Sequence, residues 1–281
     1  MRLRPVPALL LLYCAVCCAQ TVVPLELEDG NYLATVRIGR SHLKAVLDTS
    51  GRYGIAIRPE ALAQLQVRFS GDVITRTGMG GETFRGRDFV IPSVEIGGSI
   101  FLNVDGFERR HEEIGAFGNA SYDAVIGGAF LEHHTVVIDY PGRRFELYPP
   151  GRTPPACEPL TAPTLPTQND IMFTTVKTDN GVMNLGWSSG SVYSVVQKTV
   201  VDLRGLKIKD GFYSTRRFSL EHFDAGPVDM VEIDVPGIPD LDGLIGFDFF
   251  QRYRVCFDYA RHTVSVRAPP EAREGPAPAR R

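Results

Sequence analysis

Several features that would identify common classes of protein are scarce in this sequence. It has no basic excess, because 30 Lys and Arg residues are balanced by 33 Asp and Glu residues, giving a net charge of −3. A nucleic-acid-binding domain would show a basic surface, so we expect no nucleic-acid partner. The six histidines show no metal-site spacing relative to the cysteines or acids. We therefore predict no metal and no cofactor.

Cysteine is also scarce, because only Cys157 and Cys256 follow residue 19. In an oxidising compartment two cysteines can form a disulfide if their Cα atoms come within about 7 Å. The sequence leaves both states open, one disulfide or two separate thiols.

The N-terminal residues 1–19 hold an apolar run that is too short to span a bilayer. Arg2 and Arg4 give it a basic start, and Ala19 ends it with a small residue. This pattern predicts a cleaved signal peptide and a periplasmic or secreted mature protein. A lipoprotein is less favoured, because none of the cysteines in this segment lies in a good lipidation motif.

Glycine and proline are abundant, with 28 and 20 residues, and they accompany many β-branched and aromatic residues. This composition predicts an all-β protein of short strands and tight turns, with few short helices. We predict an N-terminal lobe at residues 20–148 and a C-terminal lobe at residues 170–267. A Pro-rich linker at residues 149–169 would run extended and exposed between them. The tail at residues 268–281 is expected to be disordered.

The second half of the chain repeats the first. The apolar-Gly segment at residues 123–127 corresponds to residues 242–246, and residues 137–140 correspond to residues 256–259. An internal repeat of this size predicts two related β-lobes with a cleft between them.

One loop carries the candidate chemistry. Residues 45–47 are apolar and deliver the Asp48 carboxylate, and Thr49, Ser50 and Gly51 follow it. About one lobe later, residues 125–127 form a Val-Ile-Gly element. At these residues the chain resembles the aspartic-peptidase superfamily, specifically the bacterial retropepsin-like group with two lobes in one chain. The resemblance covers roughly residues 25–267.

The resemblance implies a cleft that accepts extended peptides and a water held between two carboxylates that share a proton. Asp48 would be one of these acids, and Thr49 would orient the loop and lock it to the opposite lobe. Gly80 and Gly81 stand where the family has the tip of its flap, a hairpin that closes over the substrate.

The second lobe has no Asp at the matching place. Aligning Ser50 and Gly51 with Ser189 and Gly190 puts Trp187 opposite Asp48 and Ser188 opposite Thr49, whereas a slip of one residue puts Gly186 there. The predicted facing loop is therefore formed by Trp187, Ser188, Ser189 and Gly190. Trp187 would be either an aromatic wall facing Asp48 or a core residue that fills space.

Other acids could replace the missing one. Asp179, Asp242 and Asp248 lie in the second lobe, and a dimer could bring together two copies of Asp48. Residues 109–113, a mixed-charge segment, are interpreted as an exposed loop at the rim of the cleft.

For function we expect a protein that binds extended peptide without cutting it, and we favour a monomer over a dimer. The alternative is an active aspartic endopeptidase whose second acid comes from a dimer or from an unrecognised residue.

Overall fold

The structure is a computed structural model that describes residues 20–77, 83–109, 122–158, 162–166, 171–234 and 240–269. It is mostly β with a few short helices, so the predicted fold class is confirmed. No helix within these ranges is long and apolar enough to cross a membrane. The predicted signal peptide, the flap tip and all but two residues of the predicted tail lie outside the described residues.

The first half of the chain supplies thirteen strands within the described ranges. They are β1 (Thr21–Pro24), β2 (Glu26–Glu28), β3 (Asn31–Ile38), β4 (Ser41–Asp48), β5 (Ile55–Ile57), β6 (Arg68–Phe69), β7 (Ile74–Thr77), β8 (Thr83–Gly86), β9 (Asp88–Ile96), β10 (Ser99–Glu108), β11 (Ala124–Gly127), β12 (Thr135–Asp139) and β13 (Arg144–Tyr148). Two short helices accompany them, α1 (Pro59–Leu62) and α2 (Gly128–Leu131).

The second half supplies another thirteen described strands. They are β14 (Ala162–Pro163), β15 (Leu165–Pro166), β16 (Met172–Thr178), β17 (Gly181–Trp187), β18 (Val195–Gln197), β19 (Ile208–Lys209), β20 (Phe212–Thr215), β21 (Phe218–Leu220), β22 (Phe223–Asp224), β23 (Val228–Ile233), β24 (Gly243–Ile245), β25 (Arg254–Asp258) and β26 (Thr263–Arg267). Its helices are α3 (Lys198–Arg204) and α4 (Phe247–Phe250).

Three large sheets organise these strands. An eight-stranded sheet in the order β2-β3-β4-β11-β5-β10-β9-β6 forms the N-terminal lobe. A ten-stranded sheet forms the C-terminal lobe along the path β19-β20-β23-β18-β24-β17-β16-β21-β22, with β15 paired to β16. A six-stranded sheet, β1-β13-β12-β25-β26-β14, takes strands from both halves. The lobes are therefore joined by a continuous hydrogen-bonded sheet as well as by the chain.

The shared sheet joins the lobes through the antiparallel pair β12 and β25, in which Val137 lies opposite Cys256. Every residue of β12 is buried, as expected for a strand covered on both faces. The main hydrophobic core runs from the first lobe to the second without a break. Burial of this continuous apolar surface is the main force that holds the two lobes as one body.

A buried ionic cluster also crosses the shared sheet. Glu146 accepts hydrogen bonds from the hydroxyl of Tyr148 at 2.6 Å and from the guanidinium of Arg254 at 3.1 Å. Arg144 pairs with Glu146 at 3.0 Å and with Asp139 at 3.3 Å. Each buried carboxylate is thus matched by a cation, and Arg254 from the second half ties the two halves electrostatically.

The Pro-rich segment was predicted to be extended and exposed, and its described part is only partly exposed, because Cys157, Ala162 and Thr164 are buried. Its described part contains a 3-10 turn, Pro155–Cys157, and the two-residue strands β14 and β15. These strands lie at sheet positions that tolerate proline, since β14 is the edge of the shared sheet.

Cys157 from this segment forms a disulfide with Cys256 of β25, with the Cα atoms 5.4 Å apart. Both residues are buried. The structure therefore decides the question that the sequence left open, and it fixes the segment against the shared sheet.

We expect the Cys157→Ala/Cys256→Ala variant to unfold at a lower temperature, because the bond joins residues 99 positions apart and restricts the unfolded chain. The expected loss is about 2–5 kcal/mol, or roughly 5–15 °C in Tm. Thermal unfolding with and without reductant measures it. Reductant should lower the Tm of the wild type and leave that of the variant unchanged; two titratable thiols in the unreduced wild type would contradict the bond.

Candidate functional site

The candidate site begins at the end of β4. Residues 45–47 are fully buried and pair in parallel with β11, which places Gly127 beside Asp48. Gly127 must be glycine, because a Cβ there would lie 2.1 Å from the backbone oxygen of Tyr53. The apolar-Gly element therefore brings β11 against the Asp48 loop, and Asp48 itself is 8% exposed.

The Asp48 carboxylate is held by donors of its own loop. Its Oδ1 accepts hydrogen bonds from the Ser50 N–H at 3.0 Å and from the Ser50 hydroxyl at 2.6 Å. Its Oδ2 accepts a longer bond from the Tyr53 hydroxyl at 3.4 Å. Burial, and next the charge of Asp48, raise the pKa of Tyr53, so this phenol stays a neutral donor. The Gly51 N–H closes the turn onto the Asp48 carbonyl at 3.0 Å.

The register of the two lobes shows which residue corresponds to Asp48. In the first lobe Leu47 lies opposite Ile126 in a parallel pair, and in the second lobe Trp187 lies opposite Ile245 in the same type of pair. Trp187 therefore corresponds to Leu47, the residue before the acid.

The turns that follow agree with this register. The Gly51 N–H donates to the carbonyl of Asp48, and the Ser191 N–H donates to the carbonyl of Ser188 at 3.1 Å. Ser188 therefore occupies the position of Asp48. The alignment that placed Trp187 opposite Asp48 is wrong by one residue, because two adjacent serines made either register acceptable in sequence. Ser188 is fully buried and carries a hydroxyl where the first lobe carries an acid.

Four hydrogen bonds between a hydroxyl of one loop and a backbone group of the other cross between the two loops. The Thr49 hydroxyl donates to the Trp187 carbonyl at 3.0 Å and accepts from the Ser189 N–H at 3.0 Å. In return, the Ser189 hydroxyl donates to the Leu47 carbonyl at 2.9 Å and accepts from the Thr49 N–H at 3.1 Å. We call these four bonds the crossing lock. Ser189, not Ser188, is therefore the counterpart of Thr49.

The remaining loop residues meet at the centre of the site. Ser50 corresponds to Gly190, and its hydroxyl lies 2.9 Å from that of Ser188. Ser50, Ser188 and Gly190 are all buried. The centre of the site thus contains one carboxylate and two hydroxyls in contact.

The sequence matches no protein-family model and no curated protein. Solved structures do resemble the chain. The aspartic proteinase from Irpex lacteus aligns with a TM-score of 0.59 at 13% identity, covering 89% of this chain and 97% of that one. The basic 7S globulin from soybean aligns with a TM-score of 0.58 at 12% identity, covering 88% and 94%. The chain has the fold of an aspartic proteinase. At these identities the likeness concerns the fold.

Trp187 is a core residue of this aspartic-proteinase fold. The other interpretation from the sequence, an aromatic wall facing Asp48, is wrong. Its indole N–H donates to the Thr174 hydroxyl at 2.9 Å, inside the second lobe. Its ring packs edge-on against Phe249, Phe250 and Phe257. The side chain is fully buried in the core, so it does not face Asp48.

Three acids of the second lobe were candidate substitutes for the missing catalytic acid, and each accepts hydrogen bonds from its own lobe. Asp248 accepts from the backbone and hydroxyl of Ser194 at 2.7 and 2.9 Å, and burial raises its pKa. Asp242 accepts from the Asn184 N–H at 2.8 Å, and Asp179 accepts from the Thr215 hydroxyl. Each of these carboxylates has a structural role away from Asp48.

A hairpin lies beside the Asp48 loop. Strands β7 and β8 pair with each other, and the predicted flap tip, Gly80 and Gly81, falls between them and outside the described residues. Phe84 of this hairpin is buried in a cluster that includes Tyr53 and Phe107. The hairpin is therefore anchored to the loop that carries Asp48.

The sequence did not predict that Arg109 and Tyr53 belong to the surroundings of the site. Arg109 was interpreted as part of an exposed loop, but it is buried, with its guanidinium 4.0 Å over the ring of Phe84. It also reaches the Tyr53 hydroxyl at 3.5 Å, and Tyr53 in turn reaches Asp48. No local pattern marks Arg109, because its partners Tyr53 and Phe84 lie far away in sequence, whereas Tyr53 follows Asp48 by only five residues.

No group of three or more His, Cys, Asp or Glu side chains that could hold a metal ion occurs within the described residues.

We expect Thr49→Val and Ser189→Ala each to destabilise the protein by about 1–3 kcal/mol, because each leaves buried backbone groups of the opposite loop without a partner. The double variant should cost less than the sum, since the two hydroxyls belong to one network. Denaturant unfolding measures all three. Thr175→Val is the control, an exposed threonine whose hydroxyl bonds Asn184 at 3.1 Å; equal costs at positions 49 and 175 would contradict a lock.

Proposed function

We propose that this protein binds extended polypeptide segments in the cleft of an aspartic-proteinase fold and does not hydrolyse them. The observation that carries the proposal is Ser188, a hydroxyl residue at the position of the second acid. It would make the second lobe a degenerate one, in a relative of the bacterial retropepsin-like group.

The chemical argument is that peptide hydrolysis by this fold needs two groups acting together. One carboxylate takes a proton from the water while a protonated one donates to the carbonyl oxygen. Asp48 can do one of these at a given moment. A serine hydroxyl at position 188 is far too weak an acid to do the other near neutral or acidic pH. Loss of one proton-transfer group lowers the rate of a catalysed reaction by about 10²–10⁴-fold. The rate falls further when the lost group acts as a unit with its partner.

Binding of an extended chain needs no second acid. Among the described residues, β7 and β8 pair only with each other, and β7 is largely exposed, so the outer edge of β7 offers backbone groups to a further strand. An extended peptide can add to such an edge as a further strand. Anchoring of the hairpin through Phe84 supports this mode, because it positions the edge before the peptide arrives.

We further propose that the chain acts as a monomer outside the cytoplasm. The side of Asp48 that a second copy would have to approach is filled by Ser50 and Ser188 of the same chain. The leader-like residues 1–19 support export, and the Cys157–Cys256 bond suits an oxidising compartment. The matching hydrogen bonds of Asp123 to Lys44 and of Asp242 to Asn184 support internal duplication.

We expect the mature wild type to leave a mixed library of unstructured peptides uncut between about pH 2 and 7, a range that includes the pH at which two close carboxylates share one proton. Mass spectrometry of the incubated library measures this, with Asp48→Ala alongside. Cleavage by the wild type that disappears in Asp48→Ala would contradict the proposal.

The same library, captured on immobilised protein, tests binding. Peptides retained by the wild type should lose roughly 2- to 10-fold in affinity for each N-methyl group that removes a backbone donor facing the hairpin, because one hydrogen bond is lost. N-methylation at the alternate positions is the matched control and should change affinity less. Equal effects at both sets of positions would contradict strand addition.

A further inference from the structure

The Ser50 hydroxyl occupies a position that a proteolytic site would need to keep open. Its oxygen lies 2.6 Å from Oδ1 of Asp48 and 2.9 Å from the hydroxyl of Ser188. All three residues are less than a tenth exposed. One side-chain hydroxyl therefore bridges the acid of the first lobe and the equivalent position of the second.

This is the geometry of a water held between two catalytic groups. Such a water must contact both loops at once, at ordinary hydrogen-bond distances of about 2.5–3.0 Å. The Ser50 hydroxyl bonds both Oδ1 of Asp48 and the Ser188 hydroxyl. Oδ1 is therefore the Asp48 oxygen that faces the second lobe. Two oxygen atoms cannot occupy the same place, and here the place is filled by the protein itself.

We propose that the Ser50 hydroxyl takes the place of the attacking water, so that hydrolysis is blocked twice, by the serine at position 188 and by the serine at position 50. The proposal rests on the proposed function in that wild-type hydrolysis is absent. It adds that restoring the second acid alone is insufficient.

The opposite loop supports this assignment. Gly190 corresponds to Ser50 and has no side chain, so the obstruction comes from the first lobe alone. The Ser50 N–H also donates to Oδ1 of Asp48, at 3.0 Å, and this backbone bond does not depend on the side chain. Ser50→Gly should therefore remove the hydroxyl and leave the carboxylate positioned. The space could then hold a water bonded to Asp48 and to residue 188.

The restored reaction would proceed in balanced steps. The water oxygen attacks the peptide carbonyl carbon as one water proton passes to the charged Asp48 carboxylate. The protonated carboxyl introduced at position 188 donates its proton to the carbonyl oxygen. The tetrahedral intermediate then collapses: the C–N bond breaks, the amine leaves with the proton held by Asp48, and the hydroxyl proton returns to position 188.

The test compares the wild type, Ser50→Gly, Ser188→Asp and the double variant on the peptide library at about pH 4, where two close carboxylates share one proton. We expect cleavage by the double variant at least about 100-fold above that of Ser188→Asp, and background for the wild type and Ser50→Gly. Equal cleavage by Ser188→Asp and the double variant would overturn the inference and leave the proposed function intact. Cleavage by the wild type would instead overturn the proposed function.

Two matched control substitutions test whether the effect depends on positions 50 and 188 or only on the types of substitution. Ser191→Asp adds a carboxylate to the same loop outside the bridge, and Ser214→Gly removes an exposed serine that bonds Asp229 at 2.6 Å. Their combination should give background cleavage. Cleavage by this combination equal to that of the double variant would overturn the inference.

A structural measurement covers the case in which the double variant fails to fold, as judged by circular dichroism. A crystal structure of Ser50→Gly should show a water within hydrogen-bond distance of Oδ1 of Asp48 and the Ser188 hydroxyl. Loops that close directly onto each other, with no water between them, would overturn the inference.

Discussion

The crossing lock between Thr49 and Ser189 determines where every other group of the site lies. Each hydroxyl satisfies a backbone carbonyl and a backbone N–H of the opposite loop, in a region from which water is largely excluded. Without the lock, four buried backbone groups would lose their hydrogen-bond partners, which is costly in an apolar environment. The two loops are therefore held in one relative position, and Asp48, Ser50 and Ser188 follow from it.

The crossing lock and peptide hydrolysis have different structural requirements, so the proposed loss of hydrolysis is compatible with an intact lock. The lock needs a hydroxyl one residue after position 48 and one residue after position 188, and both are present as Thr49 and Ser189. Hydrolysis needs an acid at both positions and room for a water. A serine at position 188 fills the space and makes the hydrogen bonds of a buried turn without placing a charge there. A carboxylate at the same position would carry the free-energy cost of burying its charge.

The surroundings of the loops are built for rigidity. Trp187 precedes Ser188 and fixes that loop through its aromatic neighbours and its bond to Thr174. Behind the loops, the shared sheet, the Arg254 ion pairs and the Cys157–Cys256 bond hold the lobes together. Lobes held in this way keep their relative position, and this rigidity suits the proposed binding of an extended chain, because a preformed site loses little conformational entropy on binding.

The sequence by itself determined the fold class, the strand that delivers Asp48 and the apolar-Gly elements, because these depend on composition and on patterns within a few residues. It also showed that the second loop has no acid. Only the tertiary structure decided that Ser188 takes the position of Asp48, since adjacent serines fit either alignment and hydrogen bonds between the lobes distinguish them. The burial of Arg109 over Phe84, the disulfide, and the bridge from Ser50 to Ser188 were likewise decided there. Each joins residues distant in sequence, and a contact of that kind leaves no local pattern.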